Sequence, residues 1–433
     1  MSNYLDARGR PRIVVTGIGM MSPLGNSADE SWEALINGRS GVARITQFDA
    51  SHLPVQIAGE VKDFDPKDYM DFKEARRMSR CSQLSVAAAT MALADAGLAN
   101  GLPDPERAGT LMGTGVGGYE VGDRETQILR TKGFNRTSPF AMTAFLPNMP
   151  SYHISLLAGT QGPIATVNAA CATGTQAIGE GAEFIRRGIA DIVLTGGVEG
   201  LIHESAVAGF ARMLALTPNF NDDPEHASMP FDKNREGFIL SEGAGVVVLE
   251  RLDHALARGA KIYAEFLGHA SSSDAFHVAA QDPEAAGAVR AMKWAVEDAG
   301  KALTDIDYIN AHGTSTPMND MTETMAIKKL FGEHAYQIPV SSTKSSMGHA
   351  MGGTGAIEAI FSIYAINKEI LPATLNYNTP DPECDLDYVP NTPRPAKINT
   401  FLSNSFGLGG QNACLVMGRY ENHVDGDGVS EQL

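Results

Sequence analysis

The feature that most constrains the fold of this chain is an internal duplication. The paired segments keep the same order in the two halves, and they are residues 12–25 with 261–274, 84–98 with 286–303, 164–185 with 338–361, and 243–252 with 411–420. The members of a pair share a hydrophobic pattern rather than identical letters. Because self-similarity in a fixed order reflects repeated structural units, the chain is predicted to contain two similar halves packed on each other.

Strands and helices are predicted to alternate within each half. The run RIVVTG, beginning at Arg12, ends in glycine and small polar residues and indicates a strand that leaves into a turn. The segment 84–98 has apolar residues at helical spacing and ends at Gly97, which suits the left-handed residue after a helix. Alternating strands and helices imply sheets covered by helices. The predicted class is therefore α/β, a layered αβαβα arrangement with helices between and outside two mixed sheets.

The duplication also predicts the division of the chain. An N-terminal half is expected over residues 11–258, a C-terminal half over 259–418, and a polar tail over 419–433. The first half is longer, so the stretches 115–160 and 200–240 are predicted to be insertions into it. On this interpretation the 433 residues form one duplicated unit rather than a string of domains.

Charge and composition exclude several classes of function. The 34 basic and 51 acidic residues give a net charge of −17, which argues against general nucleic-acid binding because that needs a basic surface. There is no run of about 18 apolar residues for a membrane span, and the first residues lack the apolar stretch of a signal peptide. The four cysteines form no closely spaced pair, so neither a zinc site nor a redox dithiol is predicted. We expect a reducing, cytoplasmic setting.

Cys171 is the candidate nucleophile. It lies where the strand-like IATVNAA meets the helix-like ATGTQAIGEGAEFI, among small residues. A thiol at a helix N-terminus faces unpaired N–H groups and the positive end of the helix dipole, which favour the thiolate, and the same turn offers N–H groups to an oxyanion. A lone cysteine is more often a buried structural residue, the interpretation we keep for the other three. The small neighbours of Cys171 indicate instead a sharp turn that presents a nucleophile.

Two of the eleven histidines stand out from the rest. His312 ends an apolar strand and is followed by glycine and three hydroxyl residues, and His349 lies in a glycine-rich helix entry equivalent to the Cys171 segment. Lys344 lies among small residues that leave it free to enter a pocket, and Glu358, within an apolar helix, could be its buried partner. A single such histidine is more often a satisfied core residue. Two of them at strand ends, with a nucleophile on the equivalent turn, predict one catalytic crevice.

Two glycine-rich segments have more than one interpretation. GTGVGG (113–118) has neither the GxGxxG register nor a Walker lysine, so a nucleotide site is rejected. SNSFGLGGQNA (403–413) is explained either by a structural left-handed turn or by close approach of the backbone to a ligand.

Five motifs together carry a family resemblance. They are NAACATG around Cys171, NAHGTSTP around His312, STKSSMGHAMGGTGA around Lys344 and His349, PFDKNREGFILSEGAG at 230–245, and SNSFGLGGQN at 403–412. In this order and spacing the chain resembles the elongating β-ketoacyl-[acyl carrier protein] synthases of type II, which have the thiolase fold. The similarity extends from about residue 11 to 418.

The resemblance implies a Cys-His-His site formed by Cys171, His312 and His349. Thiolases need a second catalytic cysteine in the final glycine-rich turn, and GLGGQNA has none. Initiating synthases have asparagine where His349 stands, and chain-length-factor relatives lack the nucleophile. Each comparison favours an active elongating condensing enzyme, in which an acyl group on Cys171 is condensed with malonyl-[acyl carrier protein] during fatty acid elongation.

Further roles follow from the resemblance alone. The oxyanion is expected to lie against the backbone N–H groups of Cys171 and Phe406, and Phe406 is expected to gate the acyl pocket. Lys344 is expected to support the histidines, with Glu358 as its partner. Thr314 and Thr316 are expected to hydrogen-bond the phosphopantetheine arm that carries the substrates. No metal or redox cofactor is implied.

The chain departs from the family pattern at two positions that bear on the acyl pocket. Leu408 replaces the second aromatic residue of the final motif, and Val116 falls where a larger aliphatic residue often narrows the acyl tunnel. A longer or wider acyl pocket is therefore predicted.

A basic cluster in this acidic chain is the candidate docking surface for the acyl carrier protein. Lys73, Arg76, Arg77 and Arg80 recur at helical spacing, and Arg136 matches a further basic contact of the family. A solvated helix face is the alternative explanation. A homodimer is implied by the resemblance only.

Two other functions stay open at this point. One is a ketosynthase of a specialised pathway that makes very-long-chain lipid, polyketide or signal-lipid acyl chains. The other is a non-catalytic partner subunit, which the intact Cys171, His312 and His349 disfavour.

Overall fold

The computed structural model describes residues 3–421. The strands in this range are β1 (Ile13–Met21), β2 (Val42–Arg44), β3 (Ile57–Gly59), β4 (Ala108–Thr114), β5 (Ile164–Val167), β6 (Ile192–Glu199), β7 (Gly243–Arg251), β8 (Ala264–Ser273), β9 (Tyr308–Asn310), β10 (Val340–Ser341), β11 (Ile370–Leu371), β12 (Arg394–Pro395), β13 (Thr400–Gly407) and β14 (Gln411–Gly418). The helices are α1 (Ala28–Ile36), α2 (Phe72–Ala75), α3 (Arg80–Asp95), α4 (Tyr119–Lys132), α5 (Ala141–Phe145), α6 (Met149–Ala158), α7 (Thr173–Arg186), α8 (Glu204–Arg212), α9 (Leu252–Ala257), α10 (Ala286–Asp298), α11 (Pro317–Phe331), α12 (Lys344–Met347) and α13 (Met351–Lys368).

The large sheet displays the duplication directly. Its strand order is β10-β9-β13-β14-β8-β1-β7-β6-β4-β5. Read outward from the β1–β8 pair, one half runs β1-β7-β6-β4-β5 and the other β8-β14-β13-β9-β10. The predicted duplicated α/β class is confirmed. The two mixed sheets are continuous, because β1 and β8 pair antiparallel from Ile13↔Phe266 to Val15↔Ala264.

Helices cover this sheet in layers. In the centre, α7 and α13 pack on each other and on strands of both halves. On the outside, α3 packs on β1 and β7, and α10 packs on β8 and β14. Residues 351–366 of α13 are all buried, as expected of a helix that is enclosed by neighbours on every side.

The two halves repeat local structure as well as topology. Gly97 follows α3 with φ +70° and Gly300 follows α10 with φ +65°, so both helices end in the same left-handed conformation. β4 pairs parallel with β5 and β6, and β9 pairs parallel with β10 and β13. Because ligands bind beyond the carboxyl ends of parallel strands, the segments after these strands are where a site is expected.

The stretches predicted as insertions contain helices. Residues 115–160 form α4, α5 and α6, and residues 200–240 contain α8. Val207, Leu216 and Phe238 from the second stretch belong to the apolar cluster that also holds Cys171. Most of the predicted polar tail, residues 422–433, lies outside the described residues. Between residues 3 and 421 no helix has the length and apolar character needed to cross a bilayer.

Candidate active site

Cys171 lies at a strained turn between β5 and α7. It is the middle residue of a 3₁₀ turn over Ala170–Ala172 that runs directly into α7. Ala170 has φ +48°, a conformation that costs energy for a residue with a Cβ. Thr173 Oγ1 holds the turn, since it accepts from Ala169 N at 2.8 Å and donates to Ala170 O at 2.7 Å. The thiol sits on a rigid elbow and is 6% exposed.

The glycine-rich segment that follows β13 packs against this elbow. A Cβ on Gly407 would lie 2.8 Å from Ala169 O and 3.1 Å from Cys171 N, so only glycine fits. At Gly407 the close approach is to the backbone of the elbow, and approach of the 403–413 segment to a ligand stays a prediction. Gly409 and Gly410 also have positive φ, as the turn itself requires.

The second backbone donor at the thiol belongs to Leu408, and the assignment of Phe406 is corrected. Phe406 lies within β13, opposite Asn412 of β14. Leu408 is the first residue beyond the strand, and its backbone N–H reaches the Cys171 sulfur. The Phe406 ring instead packs edge-on against His312, with ring centroids 5.9 Å apart.

His312 and His349 meet at the thiol. A side-chain donor atom from each histidine and Cys171 Sγ all lie within 4.8 Å of one another. The two rings are nearly perpendicular, with centroids 5.4 Å apart. Thr354 Oγ1 lies 2.9 Å from His349 Nδ1, and both Nε2 of His349 and Nδ1 of His312 lack a protein partner. A threonine hydroxyl that donates to Nδ1 leaves the proton of a neutral His349 on Nε2.

Burial dominates the electrostatics of the three groups. It raises the pKa of the Cys171 thiol to about 11, although the Leu408 N–H and the Lys344 ammonium act in the opposite direction. Burial also holds the pKa of His312 and His349 well below the ordinary value, and the Lys344 charge adds to this. At the thiol, desolvation outweighs the Leu408 N–H and the Lys344 charge, so the pKa shifts of all three groups favour their neutral forms near pH 7. They oppose the thiolate that the helix N-terminus alone favours.

Lys344 and Glu358 form a buried ion pair beside the histidines. Nζ and Oε1 are 2.7 Å apart, and the side chains are 1% and 0% exposed. Burial raises the pKa of Glu358 to about 7, with Lys344 opposing the shift. The pair brings a positive charge close to the thiol and both imidazoles.

Glu323 of α11 is a functional candidate that the sequence reasoning missed. Its carboxylate accepts from the backbone N–H groups of His312 at 2.8 Å and Gly313 at 2.7 Å, and from Asn404 Nδ2 at 3.1 Å. Burial raises its pKa to about 7. The signal was a glutamate within a largely buried helix, the same criterion that singled out Glu358.

A cavity of about 420 Å³ leads to these residues. Thr314 and Thr316 lie on its wall with their hydroxyl oxygens 2.9 Å apart. Leu408 and Met351 line it, and so does Phe238, whose ring stacks edge-on against His349 at 5.4 Å. The remaining pocket prediction, Val116, packs against the apolar cluster that contains Cys171 and Met351.

The predicted docking residues lie on the surface, with one exception. Lys73, Arg76, Arg77 and Arg136 are exposed. The helical spacing is interrupted, because α2 ends at Ala75 and Ser79 caps the start of α3. Arg80 turns inward to Glu242 at 2.7 Å and is thereby removed from the cluster.

Arg77 is braced by its neighbours. It pairs with Glu74 at 2.7 Å, and its guanidinium lies 4.5 Å from the centre of the Phe140 ring. Arg76 similarly lies over Phe72, which is itself exposed. The basic surface thus includes aromatic rings.

The cysteine and the two histidines also form a donor set that suits a soft divalent metal ion. Thiolate and imidazole are zinc ligands, but binding would require the thiol to lose its proton. The absence of a resident metal stays a prediction.

Comparison with known proteins identifies the family. The model for the β-ketoacyl synthase N-terminal domain matches residues 10–255, and the model for the C-terminal domain matches residues 263–378. A 3-oxoacyl-[acyl-carrier-protein] synthase 2 from Synechocystis sp. is 46% identical over 412 residues, which is 95% of this chain and 99% of that protein.

Solved structures agree with this match. The ishigamide ketosynthase/chain length factor superposes with a TM-score of 0.89 at 37% identity, covering 95% of this chain and 100% of the other. AntDE:AntF, a type II PKS acyl-carrier protein in complex with its ketosynthase, gives a TM-score of 0.86 at 32% identity, with the same coverage. With the Cys-His-His geometry and the mirrored sheet, these matches lead to one conclusion: the chain belongs to the β-ketoacyl synthase family.

Proposed function

We propose that this chain is a 3-oxoacyl-[acyl-carrier-protein] synthase, an acyltransferase that lengthens acyl chains by decarboxylative Claisen condensation in fatty acid biosynthesis. The observation that carries the proposal is the meeting of the Cys171 sulfur with donor atoms of His312 and His349 within 4.8 Å, beside a largely apolar cavity. The Synechocystis relative bears this name at 46% identity over nearly its whole length.

In the first half-reaction the acyl group moves to Cys171. The sulfur attacks the thioester carbonyl and loses its proton to a neighbouring neutral imidazole. The negative charge on the carbonyl oxygen is stabilised by the backbone N–H of Cys171, on the elbow, and by that of Leu408, on the turn after β13; both are in place before the reaction. The carrier's C–S bond then breaks, and the pantetheine thiolate takes up a proton and leaves.

In the second half-reaction a malonyl thioester enters the same cavity. Its carboxylate leaves as carbon dioxide, and the electron pair of the broken C–C bond forms an enolate. Neutral imidazoles of His312 and His349 donate N–H to the enolate oxygen, and their low pKa keeps them in this neutral form. The carbanion attacks the acyl carbonyl on Cys171, the C–S bond breaks, the Cys171 thiolate takes up a proton from solvent, and a 3-oxoacyl thioester two carbons longer is released.

Four further residues support these steps. We assign Thr314 and Thr316 to the pantetheine arm, since their paired hydroxyls lie on the cavity wall. Lys344, held by Glu358, supplies a positive charge that lowers the pKa of both imidazoles, so an imidazole that has taken the Cys171 proton passes it on to the leaving pantetheine thiolate. The reaction needs no metal or redox cofactor, because the substrates bring their own activated thioester.

The carrier protein is the proposed partner, in its acyl- and malonyl-loaded forms. An acidic carrier would dock on the exposed basic residues Lys73, Arg76, Arg77 and Arg136. The solved complex of a related ketosynthase with its acyl-carrier protein supports this class of partner.

The assembly we propose is a homodimer. β5 is the edge strand of the large sheet, and its first residue, Ile164, is 53% exposed. Leu156 and Leu157 of the preceding helix are exposed as well. An uncovered edge with apolar neighbours is a template for pairing with a second copy.

The division into halves at 258/259 and the cytoplasmic setting are retained as proposals. The mirrored strand order about the β1–β8 pair supports the former. The four cysteines are buried and unpaired, as expected in a reducing compartment.

A specialised ketosynthase is the second candidate function. It is favoured by Leu408 on the cavity wall and by Val116 in the adjoining apolar cluster, where bulkier residues would narrow the acyl channel.

The test of both functions is incubation with acyl-carrier proteins of graded chain length, followed by malonyl-carrier protein. Mass spectrometry should find acyl groups on Cys171 and 3-oxoacyl products two carbons longer. Turnover of ordinary fatty acyl lengths supports the first function, and turnover confined to very long or polyketide chains supports the second. If none of these acyl chains is found on Cys171, both functions are refuted.

A further inference from the structure

Glu199 is a fully buried carboxylic acid that the mechanism above does not use. It is the last residue of β6, and its side chain is 0% exposed. Its Oε2 accepts from Gly115 N at 2.8 Å and Gly352 N at 3.1 Å, and its Oε1 accepts from Thr114 Oγ1 at 3.0 Å. Since these partners are all donors, the network is matched to an ionised carboxylate.

The two backbone segments that Glu199 joins both lead to the reaction centre. Gly115 precedes Val116, which packs on the apolar cluster around Cys171. Gly352 follows Met351, which lines the cavity, and lies three residues beyond His349. Glu199 therefore connects the predicted wall of the acyl channel in one half of the molecule to the histidine segment of the other half.

The packing around the carboxylate leaves no room for adjustment. A Cβ on Gly115 would lie 2.7 Å from Glu199 Oε2, and a Cβ on Gly352 would overlap the amide nitrogen of Gly115. The residue before Gly352, Met351, has φ +42° and so depends on its surroundings to hold a strained conformation. Loss of the carboxylate would release two buried N–H groups and free this segment.

We propose that Glu199 is a positioning residue for condensation, because it fixes the His349–Gly352 segment against the 114–116 loop. Its negative charge also opposes the effect of the Lys344 charge on the Cys171 thiol. The positioning role, which couples the acyl channel to His349, rests on the proposed function. The electrostatic part of the inference does not depend on that function.

The charges around the thiol give this part a definite sign. Glu199 acts to raise the pKa of Cys171, whereas Lys344 acts to lower it. His312 and His349 are the other titratable groups at the thiol, and Cys81 of α3 is a further group within the field of Glu199. Burial raises the pKa of Glu199 itself to about 7, so its charge is present above neutral pH and lost below.

Glu199→Gln tests the charge while preserving the shape. The glutamine oxygen can still accept from both glycines, but the negative charge is gone. At pH 8.5 we expect iodoacetamide to alkylate Cys171 about 3- to 10-fold faster in the variant than in wild type, because a lower pKa means more thiolate. At pH 5.5, where Glu199 is protonated in wild type, the two rates should converge.

Glu199→Ala tests the positioning role. Decarboxylation of a malonyl thioester, which uses the histidines, should fall at least about 10-fold, with Glu199→Gln losing much less. The control is Glu225→Gln, a matched change at an exposed glutamate, which should leave both measurements unchanged. Thermal unfolding of each variant establishes that it is folded.

The outcomes separate cleanly. Equal alkylation rates for wild type and Glu199→Gln at pH 8.5, or unchanged decarboxylation in a folded Glu199→Ala, would overturn the inference. If Glu199→Ala does not fold, the pH-dependent alkylation of Glu199→Gln decides alone. Alkylation needs no substrate, so a wild type that alkylates at Cys171 but condenses nothing would refute the proposed function and leave the electrostatic role of Glu199 standing.

Discussion

At the scale of single residues, the protonation state of Cys171 decides how the nucleophile is activated. A thiol that is already ionised needs only an electrophile, whereas a neutral thiol must lose a proton during the attack. Burial favours the neutral state, and the backbone N–H groups of Cys171 and Leu408 would then stabilise the proposed oxyanion rather than a resting thiolate. The same burial keeps the two imidazoles unprotonated, so that one of them can receive the proton.

The first prediction follows from the thiol pKa of about 11. Because the pKa is raised, only a small fraction of Cys171 is thiolate at neutral pH, and this fraction grows as the pH rises toward the pKa. Below the pKa, each pH unit raises the thiolate about tenfold, and the rate of Cys171 alkylation should climb steadily from pH 7 to 10. Peptide mass spectrometry after iodoacetamide pulses measures it. A plateau reached below pH 8 would show instead a resting thiolate, as the helix N-terminus alone predicts.

Glu323 carries the second prediction. Glu323→Ala leaves the backbone N–H groups of His312 and Gly313 without their acceptor in a buried site, at a cost of about 1–3 kcal/mol for each group. We expect a lower unfolding temperature and a decarboxylation rate reduced about 10- to 100-fold, because His312 loses its anchor. Glu323→Gln keeps one acceptor oxygen, which can serve only one of the two N–H groups because they bind different carboxylate oxygens, so it should fall between wild type and Glu323→Ala. If Ala and Gln variants behave alike, the backbone hydrogen bonds are not what matters.

At the scale of elements, the site depends on two turns that fit each other. The elbow between β5 and α7 presents the thiol, and the turn between β13 and β14 brings the Leu408 amide to it. Where the second turn meets the elbow, Gly407 has no room for a side chain.

The third prediction tests that contact. Gly407→Ala would place a Cβ 2.8 Å from Ala169 O and 3.1 Å from Cys171 N, so one turn must move. The displaced turn carries the Leu408 amide, the proposed oxyanion donor, so acylation of Cys171 should slow by about 10²- to 10³-fold, the effect of losing one such donor. Pulse labelling with an acyl-carrier substrate measures it. Gly209→Ala, with open space around its Cβ position, is the control; equal effects at both glycines would contradict the assignment.

The surface formed by α2 and the residues after it carries the fourth prediction. Arg76→Glu with Arg77→Glu should raise the KM for carrier-linked substrates about tenfold or more and leave turnover of free pantetheine thioesters unchanged, since the cavity is not touched. Wild-type turnover of carrier substrates should weaken with added salt as the charges are screened. An equal loss with both kinds of substrate would remove the docking assignment.

At the scale of the whole molecule, the sequence reasoning succeeded where a feature repeats or is local. The duplication, the glycines that end α3 and α10, and the sharp turn at Cys171 are written in short stretches of sequence, and each appears in the structure. The three-dimensional consequences were less accessible. Which amide reaches the thiol depends on where β13 ends, and the thiol pKa depends on how deeply distant segments bury it. Glu199 and Glu323 become candidates only when the backbone groups that they hold are seen to be those of the site.

The assembly carries the last prediction. The large sheet ends at β5, and the neighbouring α6 exposes Leu156 and Leu157, so two copies can join edge to edge and extend the sheet. Ile164→Lys places a charge on each side of that junction, and like charges brought together across an interface are repelled. We expect sedimentation velocity to show a dimer for wild type and a monomer, or a dimer that dissociates at higher concentration than wild type, for the variant.

Leu256→Lys is the matched control for this experiment. Leu256 is 39% exposed on α9, away from the β5 edge, and its replacement should leave the dimer intact. Because β5 leads directly into the Cys171 elbow, loss of the partner should also loosen the turn that holds the nucleophile, and activity should fall together with the dimer fraction as the protein is diluted. If Ile164→Lys stays dimeric, the β5 edge is not the dimer contact. If the monomer keeps full activity at all concentrations, catalysis does not depend on the dimer.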